Sequence, residues 1–249
     1  MILLFDIGNT NIVMGICEDN KIIKTYRYVT NPSLTNDDYF QKIDISIKNY
    51  KQDYKVEGAI ISCVVSQLDR VFTTMIEKYF NVKAKIIGPG LKSGLKIKLE
   101  NPKELGADLL CDAVGAYEKY QDTCIIIDMG TATKFLVVKG NAFLGGAIAP
   151  GFMTSFESLF KEAELLNKIE LVTPKKVVGS NTIECIQSGT ILGCVSMIEK
   201  MVEKIKKEVG DLEVILTGGN AVFVKDSLDY EYCPNLLIEG IVEVYRLNK

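Results

Sequence analysis

The chain has 249 residues, 47% of them hydrophobic, with a formal net charge of -3 and no histidine. That length can bury one large core or two of ordinary domain size, and a small, dispersed charge gives no electrostatic reason to expect nucleic acid or a membrane surface as a partner. The missing histidine excludes Ser-His and Cys-His nucleophiles and histidine metal sites, so acid–base work falls to carboxylates, Lys, Tyr or Cys.

In chain order, apolar alternation and short apolar runs predict strands at 2–6, 12–17 and 22–29, a helix over 37–50 and a strand at 58–64. A helix over 68–79 and a strand at 84–87 complete the first half. Next comes a helix after Lys98-Leu99-Glu100, with Asn101 as N-cap, Pro102 as its first position and Glu104 as the returning member of a capping box. Gly106, Leu110, Ala113, Val114 and Tyr117 form its buried stripe and leave Asp108 and Asp112 on the opposite face. Asp112 is read as solvated; Asp108 either complements the helix dipole or lies where a cleft between two domains opens. Strands are expected again at 124–128, 134–138 and 142–149, then helices and a strand at 213–216, so the three-strand opening occurs twice. With no Pro-rich or low-complexity linker, the domains are expected at 1–118 and 119–249. A long helix from near Asn181 to Gly210 carries Gly189 and Gly193 on one face, which reads as close packing against another helix, a symmetric partner chain being one candidate.

The seven cysteines (Cys17, Cys63, Cys111, Cys124, Cys185, Cys194, Cys233) form no Cys-x-x-Cys pair and lie mostly in apolar stretches, which reads as reduced core thiols. The chain opens directly on a strand, without a signal-peptide pattern, and no apolar run is long enough to span a bilayer. The expectation is a cytoplasmic protein.

The chemistry concentrates at Asp6-Ile7-Gly8-Asn9-Thr10, which recurs in altered form as Asp128-Met129-Gly130-Thr131-Ala132, each copy ending an apolar strand. A carboxylate beside a tight glycine turn can hold Mg²⁺, the backbone N–H groups can approach an oxyanion, and Thr can donate to phosphate. Two capped hairpin turns are the alternative, but the repetition in matched strand contexts favours nucleotide phosphate. Two further glycine loops, Gly145 to Gly151 and Thr217-Gly218-Gly219-Asn220, follow strands and permit close backbone approach to a ligand, or are ordinary turns.

Together these residues resemble the acetate and sugar kinase, Hsp70 and actin superfamily, and more closely the type III pantothenate kinases. That family is marked by Asp-x-Gly-Asn-Thr, Gly-x-Asp-Arg, Asp-x-Gly-Thr-Ala-Thr, Gly-Gly-x-Ile-x-Pro-Gly and a late Thr-Gly-Gly. They stand here as Asp6 to Thr10, Gly106-Ala107-Asp108-Leu109, Asp128 to Thr133, Gly145 to Gly151 and Thr217 to Gly219. The motifs are individually short; their order and number carry the signal, nearly end to end. The resemblance implies an α/β protein of two ribonuclease H-like domains with a cleft between them, phosphorylating pantothenate with ATP as the first step of coenzyme A biosynthesis. It implies ATP at Asp6, Ile7, Gly8, Asn9, Thr10, Asn11, Ile12, Val13, Thr131, Gly218 and Gly219, Mg²⁺ at Asp6, and a monovalent cation, K⁺ or NH₄⁺, at Asp128. Asp108 is then the catalytic base, and Gly106, Ala107, Asp108, Leu109 and Thr182 line the pantothenate pocket, Thr182 reaching in from the other subunit of a homodimer.

The sequence departs from the family pattern at four places. Leu109 replaces an Arg, Leu99 a Tyr, and Thr133-Lys134-Phe135-Leu136 stands where Thr-Thr-x-Asp is usual. Leu has no guanidinium fork, so any carboxylate or phosphate contact made by that Arg is lost, while Lys134 either returns a positive charge or points into solvent. The alternatives are therefore a non-catalytic regulatory or scaffolding dimer, like the Bvg accessory factor branch of the family, and a kinase for another small hydroxylated acid.

Overall fold

A computed structural model describes residues 1–121, 123–162 and 169–249. The chain divides into two compact units, one of residues 1–119 with 235–249 and one of residues 120–234.

In the first unit, β1 (Ile2–Ile7), β2 (Asn11–Glu18) and β3 (Lys21–Val29) form an antiparallel meander, followed by α1 (Asn36–Tyr50), β4 (Gly58–Cys63), α2 (Ser66–Phe80) and β5 (Ala84–Ile86). The sheet order is β3-β2-β1-β4-β5, with β4 parallel to both β1 and β5. β1 is central and reads as a continuous apolar run because both its faces are covered. Leu3, Phe5 and Ile7 pack beneath α1 and α2 with Tyr39, Ile43, Phe72 and Ile76, whereas Leu4 packs on the other face with Cys111, Val114, Ile238 and Ile241. α1 starts at a reciprocal capping box: Asp38 N–H donates to Thr35 Oγ1, and Thr35 N–H donates to Asp38 Oδ2.

After the short β6 (Lys96–Ile97), Asn101 does act as a cap, with Lys103 N–H donating to its side chain and its amide donating to Glu104 Oε1 at 2.8 Å. The element it caps is a 3₁₀ turn, Pro102–Glu104, rather than the expected α-helix, because Leu105 returns to an extended conformation. α3 (Ala107–Tyr120) then begins after Gly106. Its final partner is α7 (Leu236–Leu247), an element the periodicity does not predict. The two helices cross at glycines: a Cβ on Gly115 would lie 2.4 Å from the Leu236 carbonyl oxygen, and one on Gly240 would lie 1.9 Å from that of Cys111. With a sheet on one side and α7 on the other, α3 is buried from Cys111 through Ala116. The expectation that Asp112 is solvated is thereby corrected, since it is 1% exposed.

The second unit repeats the pattern. β7 (Cys124–Met129), β8 (Ala132–Lys139) and β9 (Ala142–Pro150) form the meander, followed by α4 (Phe152–Glu162), α5 (Thr182–Gln187), α6 (Gly193–Val209), β10 (Glu213–Thr217) and β11 (Glu231–Tyr232). Its strands run β11-β10-β7-β8-β9, with β10 parallel to both β7 and β11, the same arrangement as β5-β4-β1-β2-β3. The long helix expected from Asn181 to Gly210 is interrupted by a π-helical turn, Ser188–Leu192, that separates α5 from α6. A Cβ on Gly189 or Gly193 would meet nothing within 4 Å, so no helix among the described residues packs closely there.

Candidate active site

Each meander ends its first strand in a carboxylate followed by a turn, and the register states what faces it. Asp6 lies opposite Val13 on the antiparallel side and Ser62 on the parallel side. Asp128 lies opposite Lys134 on the antiparallel side and Thr217 on the parallel side. The strand architecture is the same, but the chemistry around the two carboxylates differs.

In the first unit the turn between β1 and β2 is closed by Gly8 N–H donating to the Asn11 carbonyl at 3.0 Å. Thr30 clasps it: the hydroxyl donates to the Gly8 carbonyl at 2.6 Å and its N–H donates to the Thr10 carbonyl at 3.0 Å. Asn9 and Thr10 stand exposed at the tip, while Ile7 and Ile12 are buried beneath it. Ser62, fully buried on β4, reaches Asp6 Oδ1 at 3.4 Å. Neither Thr30 nor Ser62 follows from a local motif; only the β2–β3 and β1–β4 registers bring them to the turn.

Asp108 enters from the first turn of α3. Its side chain folds back over Gly106, so closely that a Cβ there would be 2.6 Å from Asp108 Oδ1, and Leu109 lies alongside. Side chains on a helix lean toward its N-terminus, which aims Asp108 out of the helix start rather than along its flank. Cys111 packs this helix against Leu4 of β1. Burial pushes its thiol well above the ordinary range, and the charges of Asp6, Asp112 and Asp108 push it further, opposed by a hydrogen bond from Ser62. Val13, opposite Asp6, and Ala107, beside Asp108, pack against the same cluster as Cys111, so β2 and the start of α3 share one part of the core. Among the described residues no group of three or more acidic, Cys or His side chains is arranged to hold a metal. The Asp6 carboxylate with the Ser62 hydroxyl beside it suits a cation such as Mg²⁺, which keeps several waters and takes other ligands from substrate phosphates.

In the second unit, Gly130 N–H donates to the Ala132 carbonyl at 3.1 Å. Asn220 holds this turn, its N–H donating to the Met129 carbonyl and its amide to the Gly130 carbonyl, both at 2.9 Å. Thr154 Oγ1 donates to the Thr131 carbonyl at 3.0 Å, and a Cβ on Gly151 would lie 2.0 Å from that same oxygen. Gly218 has φ +91 and passes over Asp128 with room for no side chain, since a Cβ would be 2.5 Å from Asp128 Oδ1. Glycine is required there on both counts. Asp128, Thr131, Gly218 and Gly219 thus form one cluster, and Asn220, Gly151 and Thr154 are its supports. Lys134 Nζ donates to Asp128 Oδ2 at 2.8 Å, so it does not point into solvent; its charge is held at that carboxylate. Leu136, two residues along the same strand, is buried at 2% exposure. Thr182 is exposed as the first residue of α5, where the Asn181 side chain accepts from Glu184 N–H.

Among solved structures, the (R)-2-hydroxyglutaryl-CoA dehydratase component A of Acidaminococcus fermentans shares the fold, with a TM-score of 0.55 at 14% identity over 100% of this chain and 99% of that one. The inorganic polyphosphate/ATP-glucomannokinase of Arthrobacter sp. strain KM gives 0.52 at 13% identity over 100% and 99%. These likenesses are of fold: the same α/β architecture of two sheets. Sequence is more specific. The type III pantothenate kinase from Exiguobacterium sp. is 39% identical over 256 residues, covering 100% of each chain. The type III pantothenate kinase family matches residues 2–204. The chain belongs to the type III pantothenate kinases, which phosphorylate pantothenate with ATP for coenzyme A biosynthesis.

Proposed function

We propose that Asp108 is the base of this reaction and that the turn Asp6 to Val13 receives the triphosphate of ATP. The observation that carries the reading is the packing of the start of α3 against the strand opposite Asp6: Val13, which faces Asp6, and Ala107, next to Asp108, pack against the same buried cluster around Cys111. Asp108 accepts the proton of the primary hydroxyl of pantothenate as that oxygen bonds to the γ-phosphorus and the bond to the ADP oxygen breaks. Thr30 and Ser62 keep the phosphate turn and its carboxylate in place, so their order precedes substrate binding. Asp6 would hold Mg²⁺, which would supply charge neutralisation to the transferring phosphate. Thr131, Gly218 and Gly219, clustered at the Asp128 turn, are nucleotide-binding residues in this proposal. Gly106, Ala107 and Leu109 bound the acceptor beside Asp108.

The functional unit in this proposal is a cytoplasmic homodimer with Thr182 contributed across the interface. Support comes from apolar side chains left exposed around α5, namely Val172, Val177, Val178 and Ile183 at 53%, 72%, 80% and 53%. The open face at Gly189 and Gly193 adjoins them in sequence. The monovalent cation implied at Asp128 is a poor fit: one oxygen of that carboxylate is already held by an ammonium, and a second positive charge beside it is repelled.

The metal assignment is tested with Asp6→Asn. A Mg²⁺ titration of ATP turnover should shift to higher metal concentration with a lower plateau, while the melting temperature stays close to that of the unsubstituted protein. Superimposable titrations would remove Asp6 from the metal site.

A further inference from the structure

The two carboxylate turns share strand order and a closing glycine, but the second is tighter, Gly130 N–H reaching the Ala132 carbonyl where Gly8 N–H reaches that of Asn11, and only the second has a cation built into the opposite strand. Val13 faces Asp6; Lys134 faces Asp128. Lys134 Nζ sits 2.8 Å from Asp128 Oδ2, with the two side chains 16% and 9% exposed. On its other side the carboxylate is walled by the backbone of Gly218, and Gly130 approaches both oxygens to 3.7 Å measured from an added Cβ. The strand register fixes the lysine stem, so its charge arrives at one defined place. Like K⁺ or NH₄⁺, that ammonium carries a single positive charge. We propose that the Lys134 ammonium is the monovalent cation of this enzyme, tethered to the chain, and that it replaces a dissociable K⁺ or NH₄⁺ at Asp128. Binding of ATP and turnover are then indifferent to the monovalent cation in solution. The inference rests on the assignment of the Asp128 turn to the nucleotide.

Lys134→Met keeps the length of the stem and removes the charge; Lys134→Thr removes both. ATP affinity is measured by calorimetry with Mg²⁺ present, and turnover by ADP release, at constant ionic strength in choline, Na⁺, K⁺ and NH₄⁺ chlorides. The unsubstituted enzyme should give the same affinity and rate in all four salts. Either variant should lose about tenfold or more in ATP affinity in choline, as expected for one charge-assisted contact, and regain it in K⁺ or NH₄⁺. Stimulation of the unsubstituted enzyme by K⁺ or NH₄⁺ overturns the proposal, and that arm decides even if neither variant folds. Folded variants with unchanged ATP affinity in every salt overturn it as well, leaving Lys134 a structural ion pair. ATP binding that survives Asp128→Asn in all four salts rejects the nucleotide assignment itself and the tethered cation with it, whereas salt-stimulated binding that is lost in Asp128→Asn rejects the tether alone.

Discussion

Leu109 follows the proposed base by one residue in the first turn of α3 and is half-buried beside the Gly106 turn. An Arg at this position brings a planar fork of donors to the acceptor, so Leu109→Arg should lower the apparent KM for pantothenate and leave that for ATP unchanged. One charge-assisted contact contributes roughly 1.5–3 kcal/mol, which sets the gain at no more than about one to two powers of ten. Steady-state kinetics with each substrate varied in turn checks this, and an unchanged or raised pantothenate KM counts against it. At this scale the sequence was legible where a residue type is tied to a turn: the doubled Asp-x-Gly segments do form matched turns at strand ends, whereas the approach of Gly218 to Asp128 emerges only in the fold. It was opaque where the answer depended on a neighbouring strand. The solvated reading of Asp112 failed because a helical stripe cannot reveal a second packing partner, and the contact of Lys134 with Asp128 needs the cross-strand register.

The helices α3 and α7 meet through glycines at a separation no Cβ fits. Gly240→Ala would place a methyl 1.9 Å from the Cys111 carbonyl oxygen and 3.0 Å from the Gly115 nitrogen. Forcing the helices apart should cost about 1–3 kcal/mol or more, read as a lower urea midpoint with an unchanged slope. Gly189→Ala is the control: with nothing within 4 Å of its Cβ, the substitution removes a helix-breaking residue and should leave subunit stability level or slightly higher. A fall in the midpoint for Gly189→Ala equal to that for Gly240→Ala would contradict the packing account. Both meanders and most helices were predictable because their apolar periods are unambiguous. The segment Leu236-Leu237-Ile238-Glu239-Gly240-Ile241-Val242-Glu243-Val244 was not: its β-branched residues and central glycine suit a strand as well as a helix, and only the approach to α3 decides. The π-helical turn within the long helix leaves no mark on an apolar period that continues across it.

The duplicated topology gives the chain two similar strand ends that differ in turn length and in the residue opposite the carboxylate. Asp6 faces a hydroxyl, whereas Asp128 faces an ammonium. If Thr182 serves the partner's site, Asp108→Asn and Thr182 variants should complement each other. Co-expression of Asp108→Asn with Thr182→Ala should form mixed dimers with one intact site, recovering up to about a quarter of the normal activity at random pairing. The absence of recovery in a confirmed mixed dimer would confine the site to one chain.

Phosphoryl transfer to pantothenate through Asp108 is tested most directly by following ADP release from ATP with and without pantothenate, identifying the product by mass. The account predicts ADP and phosphopantothenate in equal amounts. It also predicts that Asp108→Asn lowers the rate by about two to four powers of ten while calorimetric ATP affinity is retained. ADP release that ignores pantothenate, or an Asp108→Asn enzyme that turns over at the normal rate, would contradict it.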